Sequence, residues 1–219
     1  MKEFKIRCSA IGKIMTNPRS KTETLSKTTK TYLEEWSKEQ IYNRKKEVFS
    51  KYIDKGNAVE VESLGFISKE LDIPSLVKNE ESFENGFLTG TPDAILDKYI
   101  IDVKNSWDCF SFPLYFNSVP NKDYYWQAQG YMALTDIDRY KLIYTLMDTP
   151  EELIQREYFG DESTDLVEFA SKYKYSDIDS RYRIKVFEIY RNEEDIRKIY
   201  DRVVECRSYL KSLWVDLNF

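Results

Sequence analysis

The sequence predicts a single α/β (α+β) domain in which a central mixed sheet is flanked by helices. The order of the predicted elements is the first reason: two helices, antiparallel strands, a helix, two further strands and a closing helix. Size is the second reason, because 219 residues with 42% hydrophobic composition can bury one sizeable core. We find no internal repeat and no linker, so residues 1–219 are expected to form one domain with a basic helical part at 1–55.

The basic part is predicted to contain two helices joined by a loop. Ser9 is expected to cap a short helix over 10–15. The stretch 16–30, rich in Lys, Ser and Thr, is typical of a loop, and 31–49 is predicted as a helix. The inward face of that helix is expected to hold Leu33, Trp36, Ile41 and Phe49.

The remaining segments alternate between helical and strand patterns. A helix is predicted at 58–71, and strands are predicted near 87–88, 94–96, 99–103, 140–147 and 182–190. The aromatic segment 107–125 is expected to be irregular and to lead into a helix over 126–134. Asn192 is expected to cap the closing helix.

A predicted β-hairpin around Asp97-Lys98 brings two acidic residues together. With those two residues as the turn, residue 93 lies opposite residue 102, and the side chains of Asp93 and Asp102 come roughly 5 Å apart. Because side chains alternate along a strand, Lys104 shares the face of Asp102. Carboxylates so placed repel unless a proton or a cation lies between them, so the hairpin predicts a metal site with an ammonium beside it.

Glu60 is a further candidate ligand. On the 58–71 helix it shares a face with Leu64, Ile67 and Leu71, and a carboxylate on an inward stripe is costly unless it is paired or binds a metal. Glu62 is better explained as a surface charge, although a structural salt bridge for Glu60 stays open.

The complete absence of histidine limits the possible chemistry. Ser-His-Asp triads and His-ligated zinc are excluded, and an oxygen-only ligand set suits Mg²⁺ or Mn²⁺. Carboxylates that hold a pair of such cations commonly serve phosphodiester hydrolysis, and Lys104 could orient or deprotonate a water.

Charge and cysteine content bear on partners and compartment. Residues 1–55 carry 14 basic and 7 acidic residues, whereas the rest carries 19 and 31, which favours either a basic face for a polyanion or a basic helix packed on an acidic body. Three widely spaced cysteines suit reduced thiols in a cytoplasm. No apolar stretch is long enough for a membrane span, and 1–9 has no apolar core of a signal peptide.

The motifs resemble a known family. Glu60, Pro92-Asp93 and the 102–104 triplet together are similar to the PD-(D/E)xK nuclease superfamily, which implies a restriction-endonuclease-like core. Four flanking segments, IRCS at 6–9, NPRSK at 17–21, KGNAVE at 55–60 and YWQAQGYM at 125–132, resemble the lambda exonuclease family of phage recombination nucleases. The closing strand and helix also fit that family.

The resemblance implies a set of roles and partners. Two Mg²⁺ ions, which Mn²⁺ can replace, would be held by Asp93, Asp102, the backbone carbonyl of Val103 and Glu60, with Lys104 serving the nucleophilic water. Ser9 and Arg19 would bind the 5′-phosphate of the cut strand, and Gln127 or Gln129, with a slight preference for Gln127, would lie near the site. It further implies 5′→3′ degradation of one strand of duplex DNA from its end, by a ring-shaped homotrimer with a single-strand annealing partner. The expected compartment is the cytoplasm, or the host cytoplasm if a phage encodes the protein.

Other functions stay open at this point. A restriction-like endonuclease or a repair nuclease would share the same core motif, and a non-catalytic DNA-end-binding scaffold could keep the fold. The aromatic segment 107–126 could stack unpaired bases, although aromatic core packing explains it more simply.

Overall fold

A computed structural model describes residues 2–74, 76–158 and 165–216. The helices are α1 (Ile11–Ile14), α2 (Lys27–Tyr42), α3 (Lys51–Glu70), α4 (Lys122–Thr135), α5 (Glu151–Glu157), α6 (Leu166–Ser171) and α7 (Glu193–Asp216). The strands are β1 (Ile6–Arg7), β2 (Phe83–Glu84), β3 (Leu88–Gly90), β4 (Ala94–Leu96), β5 (Tyr99–Asn105), β6 (Arg139–Thr145) and β7 (Ile184–Tyr190). Short 3₁₀ turns cover Cys8–Ala10 and Ser180–Tyr182.

The central sheet is mixed, as the sequence predicts. Its strand order is β4-β5-β6-β7, with β5 and β6 parallel and the two outer pairs antiparallel. Helix α4 forms the crossover between the parallel strands, as parallel pairing requires. A smaller sheet of order β1-β3-β2 pairs the N-terminal strand with the segment that precedes the hairpin.

Hydrophobic residues pack on both faces of the central sheet. One core contains Ile100 together with buried residues of α1, α2, α4 and α7. The second core joins Ile101 and Val103 to Leu64 and Ile67 of α3. Successive residues of β5 therefore point to opposite sides, which turns Asp102 toward α4.

The predicted hairpin register is confirmed. Ala94 pairs with Ile101, Ile95 with Ile100 and Leu96 with Tyr99, so Asp97 and Lys98 form the turn. The cap of the closing helix is also confirmed, because the Asn192 side chain accepts a hydrogen bond from the backbone N–H of Asp195 at 3.1 Å.

The predicted role of Ser9 as a helix cap is wrong. Ser9 lies inside the Cys8–Ala10 turn, and α1 begins only at Ile11. The residues in the two cap positions, Arg7 and Ala10, make no side-chain capping bond. Parallel pairing of β1 with β3 holds the chain extended up to Arg7, so the turn starts directly after the strand.

The bounds predicted for 16–30 and 31–49 are also wrong. Helix α2 begins four residues earlier, because the Ser26 side chain accepts a hydrogen bond from the N–H of Thr29 at 3.0 Å. It ends at Tyr42, where Asn43 adopts a left-handed conformation with φ 49°. Phe49, expected to face inward, is 87% exposed in the connection to α3, and Ile41 is 36% exposed.

Other bounds shift for similar local reasons. Helix α3 starts at Lys51 rather than 58, and α4 starts at Lys122 because the Asn121 side chain accepts a hydrogen bond from the N–H of Asp123 at 2.9 Å. The short helices α5 and α6 were not predicted. Within the described residues, no helix is both long and apolar enough to cross a lipid bilayer.

Candidate active site

A cavity of about 970 Å³ opens at the ends of β4 and β5, beside α3 and α4. Its charged lining includes Arg7, Glu60, Asp93, Asp102 and Lys104. Its aromatic lining consists of Tyr52, Trp107, Phe110, Phe112, Phe116, Tyr124, Tyr131 and Tyr144. The cavity therefore combines acids, cations and exposed rings, which are the groups that phosphates and bases contact in nucleic-acid enzymes.

Asp93 is held at the edge of the hairpin. Its Oδ2 accepts a hydrogen bond from the backbone N–H of Val103 at 2.7 Å, which places its carboxylate next to Asp102. Burial, and after it the negative charge of Asp102, raise the pKa of Asp93 to about 7, although Lys104 and the Val103 N–H oppose the shift. Asp93 therefore holds a proton more tightly than an exposed aspartate does.

Asp102 and Lys104 form an ion pair on the same face of β5. Lys104 Nζ lies 2.5 Å from Asp102 Oδ2, and Asp102 is only 1% exposed. Burial lowers the pKa of Lys104, but the charges of Asp102 and Asp93 outweigh burial and raise it overall. The ammonium also lies over the ring of Tyr124, 4.9 Å from its centroid. Lys104 is therefore a firmly charged donor at the cavity wall.

Of the two glutamines, only Gln127 reaches the acidic residues. Its Nε2 donates to Asp102 Oδ1 at 3.0 Å. Gln129 points away: its Nε2 donates to the Tyr190 carbonyl and its Oε1 accepts from the Asn192 N–H, each at 2.8 Å. Gln127 thus orients a carboxylate of the site, whereas Gln129 ties α4 to the start of α7.

Glu60 lines the cavity from α3, but a lysine binds it. Lys78 Nζ lies 2.5 Å from Glu60 Oε2, and the Glu60 side chain is 23% exposed. Among the described residues, no three acidic, cysteine or histidine side chains converge as a ready-made metal cluster. Glu60 is accordingly near Asp93 but is directed toward Lys78.

The two adjacent carboxylates of Asp93 and Asp102 fit a divalent cation. Asp102 Oδ2 is buried and receives no hydrogen bond of good geometry within the described residues, although the Lys104 ammonium is close. Burial, and after it the charge of the carboxylate of Asp102 beside it, raise the pKa of Asp93. A hard cation between the two would remove the repulsion and give the bare oxygen a ligand.

Two neighbouring groups that the sequence analysis missed fix the backbone before Asp93. The Asn79 N–H donates to the Asp93 carbonyl at 2.7 Å, and its side-chain Nδ2 donates to the Pro92 carbonyl at 3.0 Å. The Tyr131 hydroxyl donates to the Thr91 carbonyl at 3.0 Å. A Cβ on Gly90 would lie 2.7 Å from the Tyr131 ring, so this close approach depends on glycine. Such tertiary contacts leave no periodic signal in the sequence.

The buried cation Lys55 holds the start of the aromatic segment 107–125 in place. Its Nζ donates to the carbonyls of Trp107 at 3.0 Å and Met147 at 2.7 Å, and burial lowers its pKa to about 8. Trp107 is buried, whereas Phe110 is 95% and Phe116 52% exposed. The segment is therefore divided between core packing and an exposed rim of the cavity.

The residues expected to bind a 5′-phosphate do not meet. Ser9 is exposed and lines the cavity, but Arg19 lines a different cavity together with Lys13 and Lys27. Arg7, which was not singled out from the sequence, is exposed and lines the same cavity as Ser9 and Asp93. In β1, exposed Arg7 follows buried Ile6, and this alternation was the signal in the sequence that could have indicated an outward-facing Arg7.

Comparisons with solved structures show close relatives of this fold. A phage-related exonuclease from Haemophilus somnus 129PT has a TM-score of 0.82 and 30% sequence identity, over 99% of this chain and 97% of that chain. An alkaline exonuclease from Laribacter hongkongensis has a TM-score of 0.67 at 14% identity, over 98% of this chain and 91% of that chain. Its complex with dAMP gives a TM-score of 0.66 over 97% and 91% of the two chains, again at 14% identity.

No protein-family model matches the chain, and no curated protein matches it either. The Laribacter structures share the fold, and the Haemophilus relative adds sequence similarity over the whole length. Together with the hairpin-borne Asp93, Asp102 and Lys104, this similarity places the chain in the lambda exonuclease-like family of PD-(D/E)xK nucleases.

Proposed function

We propose that this protein is a Mg²⁺-dependent exonuclease that degrades one strand of linear duplex DNA in the 5′→3′ direction, in phage-type recombination by single-strand annealing. One observation carries the proposal: Asp93, Asp102 and Lys104 meet at one cavity, in a chain 30% identical to a phage-related exonuclease. The oxygen-only acids and the absence of histidine favour a hard cation over zinc.

Four residues would hold two Mg²⁺ ions, which Mn²⁺ can replace. Asp93 and Asp102 are the central pair, the Val103 carbonyl follows Asp102 along β5, and Glu60 reaches the cavity from α3. When bound, the cations supply Lewis-acid polarisation of the scissile phosphate. Gln127 keeps the Asp102 carboxylate oriented through its 3.0 Å hydrogen bond.

Lys104 is proposed to orient the attacking water and to stabilise the charge that develops on the phosphate. Its pKa is raised overall by Asp102 and Asp93, so it is an ammonium at neutral pH and donates protons in hydrogen bonds. This charge state favours the orienting role over that of a general base, which would need a deprotonated amine.

Substrate recognition is proposed to divide among three groups. Arg7 and Ser9, which line the cavity of the acids, would contact the phosphate that is cleaved, whereas Arg19, which lines a separate cavity, would bind the terminal 5′-phosphate. The exposed rings of Phe110 and Phe116 would stack on unpaired bases beside the acids.

The partners are proposals that rest on the family alone. They are duplex DNA ends, a single-strand annealing protein and two further copies of this chain in a ring-shaped homotrimer. Sedimentation of the purified protein, with a monomer mass of 26.1 kDa, gives the oligomeric state directly.

The proposed activity is tested with two duplex substrates of the same sequence, one linear and one covalently closed. With Mg²⁺, nucleotides should be released from the linear form, while the closed form stays intact. A label on the 5′ end should be released before a label on the 3′ end of the same strand. Cleavage of closed DNA would instead indicate an endonuclease, and DNA-end binding without release would indicate a scaffold.

A further inference from the structure

Two of the acids of the cavity, Asp102 and Glu60, form ion pairs with lysines in different settings. Lys104 binds Asp102, and its side chain is 22% exposed in the cavity wall. Lys78 binds Glu60, and its side chain is 46% exposed at the cavity margin. The ammonium of Lys78 is thus accessible to water, while that of Lys104 is enclosed by Asp102, Asp93 and Tyr124.

The position of Lys78 is set by its neighbour. Asn79 is bound to the Pro92-Asp93 backbone through both its N–H and its side chain, at 2.7 and 3.0 Å. The Asn79 side chain also donates to the Glu81 carbonyl at 2.9 Å. This short segment therefore bridges from the hairpin to α3, and it delivers the Lys78 ammonium to Glu60.

Glu60 has a lysine partner at its oxygen and lines the same cavity as the acidic pair Asp93 and Asp102. The carboxylates of Glu60, Asp93 and Asp102 line one cavity, and their like charges repel one another. An ammonium on Glu60 relieves this repulsion. A divalent cation that uses Glu60 as a ligand would relieve the repulsion as well. Glu60 Oε2 cannot bind the Lys78 ammonium and the cation in the same position.

We propose that Lys78 is a displaceable countercation: it occupies Glu60 in the metal-free protein and moves into solvent when a divalent cation binds there. The inference rests on the proposed metal-dependent function. Displacement is easy because a half-exposed ion pair is weak and the lysine stem is flexible. The lysine competes with the cation, so Lys78 lowers the apparent affinity of the position that Glu60 serves.

The test measures Mn²⁺ binding by titration calorimetry, without DNA. Lys78→Met should tighten one class of sites by roughly threefold to tenfold and leave the number of sites unchanged. Lys98→Met is the matched control, because Lys98 is an exposed lysine in the hairpin turn, and it should change nothing. In a Glu60→Gln background, Lys78→Met should have no effect on affinity.

A second measurement does not depend on calorimetric affinity. With EDTA, Lys78→Met and Lys78→Gln should unfold at a lower Tm than wild type, because three carboxylates then have one ammonium fewer. Saturating Mn²⁺ should raise the Tm of these variants more than that of wild type. Unchanged or weaker Mn²⁺ binding in both variants would overturn the inference.

Failure of the inference and failure of the proposed function give different results. If Asp102→Asn removes Mn²⁺ binding but Lys78→Met leaves it unaltered, the metal-dependent nuclease stands and the countercation role falls. If wild type and Asp102→Asn bind Mn²⁺ equally, the metal site itself is wrong, and the role of Lys78 falls with it.

Discussion

The hairpin and the N-terminal segment hold their candidate functional residues in contrasting ways. In the hairpin, Asp102 is buried and its carboxylate contacts Lys104 and Gln127, so each functional group is held by another. In the N-terminal segment, Ser9 and Arg19 are both exposed and line separate cavities. Strand pairing fixes the reacting groups, while the groups proposed to grip the DNA end lie on turns and loops.

The difference indicates which changes should affect chemistry and which should affect recognition. Removing a hairpin residue takes away a group that is already positioned for reaction. Removing an exposed cation takes away an interaction with phosphate and leaves the acids in place. The following predictions separate the two regions, beginning with the largest expected effect.

Lys104→Met should lower the rate at saturating DNA by about 10²- to 10⁴-fold, because an oriented donor acts mainly in the transition state. DNA affinity should change little. The rate is measured as single-turnover release of nucleotides from a linear duplex, and the affinity is measured as DNA binding in Ca²⁺. An equal loss of affinity with unchanged turnover would make Lys104 a phosphate contact.

Gln127→Ala should lower activity by about 10- to 100-fold through loss of the hydrogen bond that orients Asp102. Gln129→Ala is its matched control on the same helix and should instead reduce stability by about 1–3 kcal/mol, since it removes a buried side chain whose amide makes two hydrogen bonds to the backbone. Denaturant unfolding and initial rates on both variants check the pair. A loss of activity in Gln129→Ala, with only a loss of stability in Gln127→Ala, would contradict these roles.

Arg19→Ala should erase a preference for 5′-phosphorylated over 5′-hydroxyl ends, an effect of about tenfold for one charge-assisted contact. Arg7→Ala should slow both substrates alike, because Arg7 lines the cavity of the acids. Initial rates on two duplexes that differ only in the terminal phosphate decide this. If only Arg7→Ala loses the preference, the terminal phosphate is recognised in the cavity of the acids and not by Arg19.

The stability of the metal-free protein should fall as pH rises. Asp93 has a folded-state pKa of about 7 against an ordinary value of 3.8, so the folded state binds the proton more tightly than the unfolded state. The resulting stabilisation is complete below about pH 4 and is lost by about pH 7. With EDTA, Tm should decrease over this range by a few degrees more in wild type than in Asp93→Asn. Parallel curves would show that Asp93 does not hold this proton.

Much of the hairpin could be predicted because strand periodicity and a two-residue turn determine which residues face each other. The pairing of Ala94 with Ile101 and the shared face of Asp102 and Lys104 follow from that alone. The N-terminal bounds could not be predicted equally well, because the turn at Ser9 depends on parallel pairing of β1 with the distant β3.

Contacts between distant segments also lay beyond the sequence patterns. Asn79 reads as an ordinary loop residue, yet it holds the backbone of Asp93. Lys55 lies just before the helix predicted at 58–71, yet in the structure it is completely buried and donates to two carbonyls. Such roles arise when the chain folds and are not carried by residue spacing.

The most direct test of the central claim is Mg²⁺-dependent nucleotide release from a linear duplex by Asp102→Asn. Asp97→Asn, in the exposed turn of the same hairpin, is the matched control for fold and net charge. Release should drop by at least about 100-fold in Asp102→Asn, as expected when a pre-oriented charged group is removed, and should be unchanged in Asp97→Asn. Substantial Mg²⁺-dependent release by Asp102→Asn, with its fold intact, would contradict the assignment of this cavity as the active site.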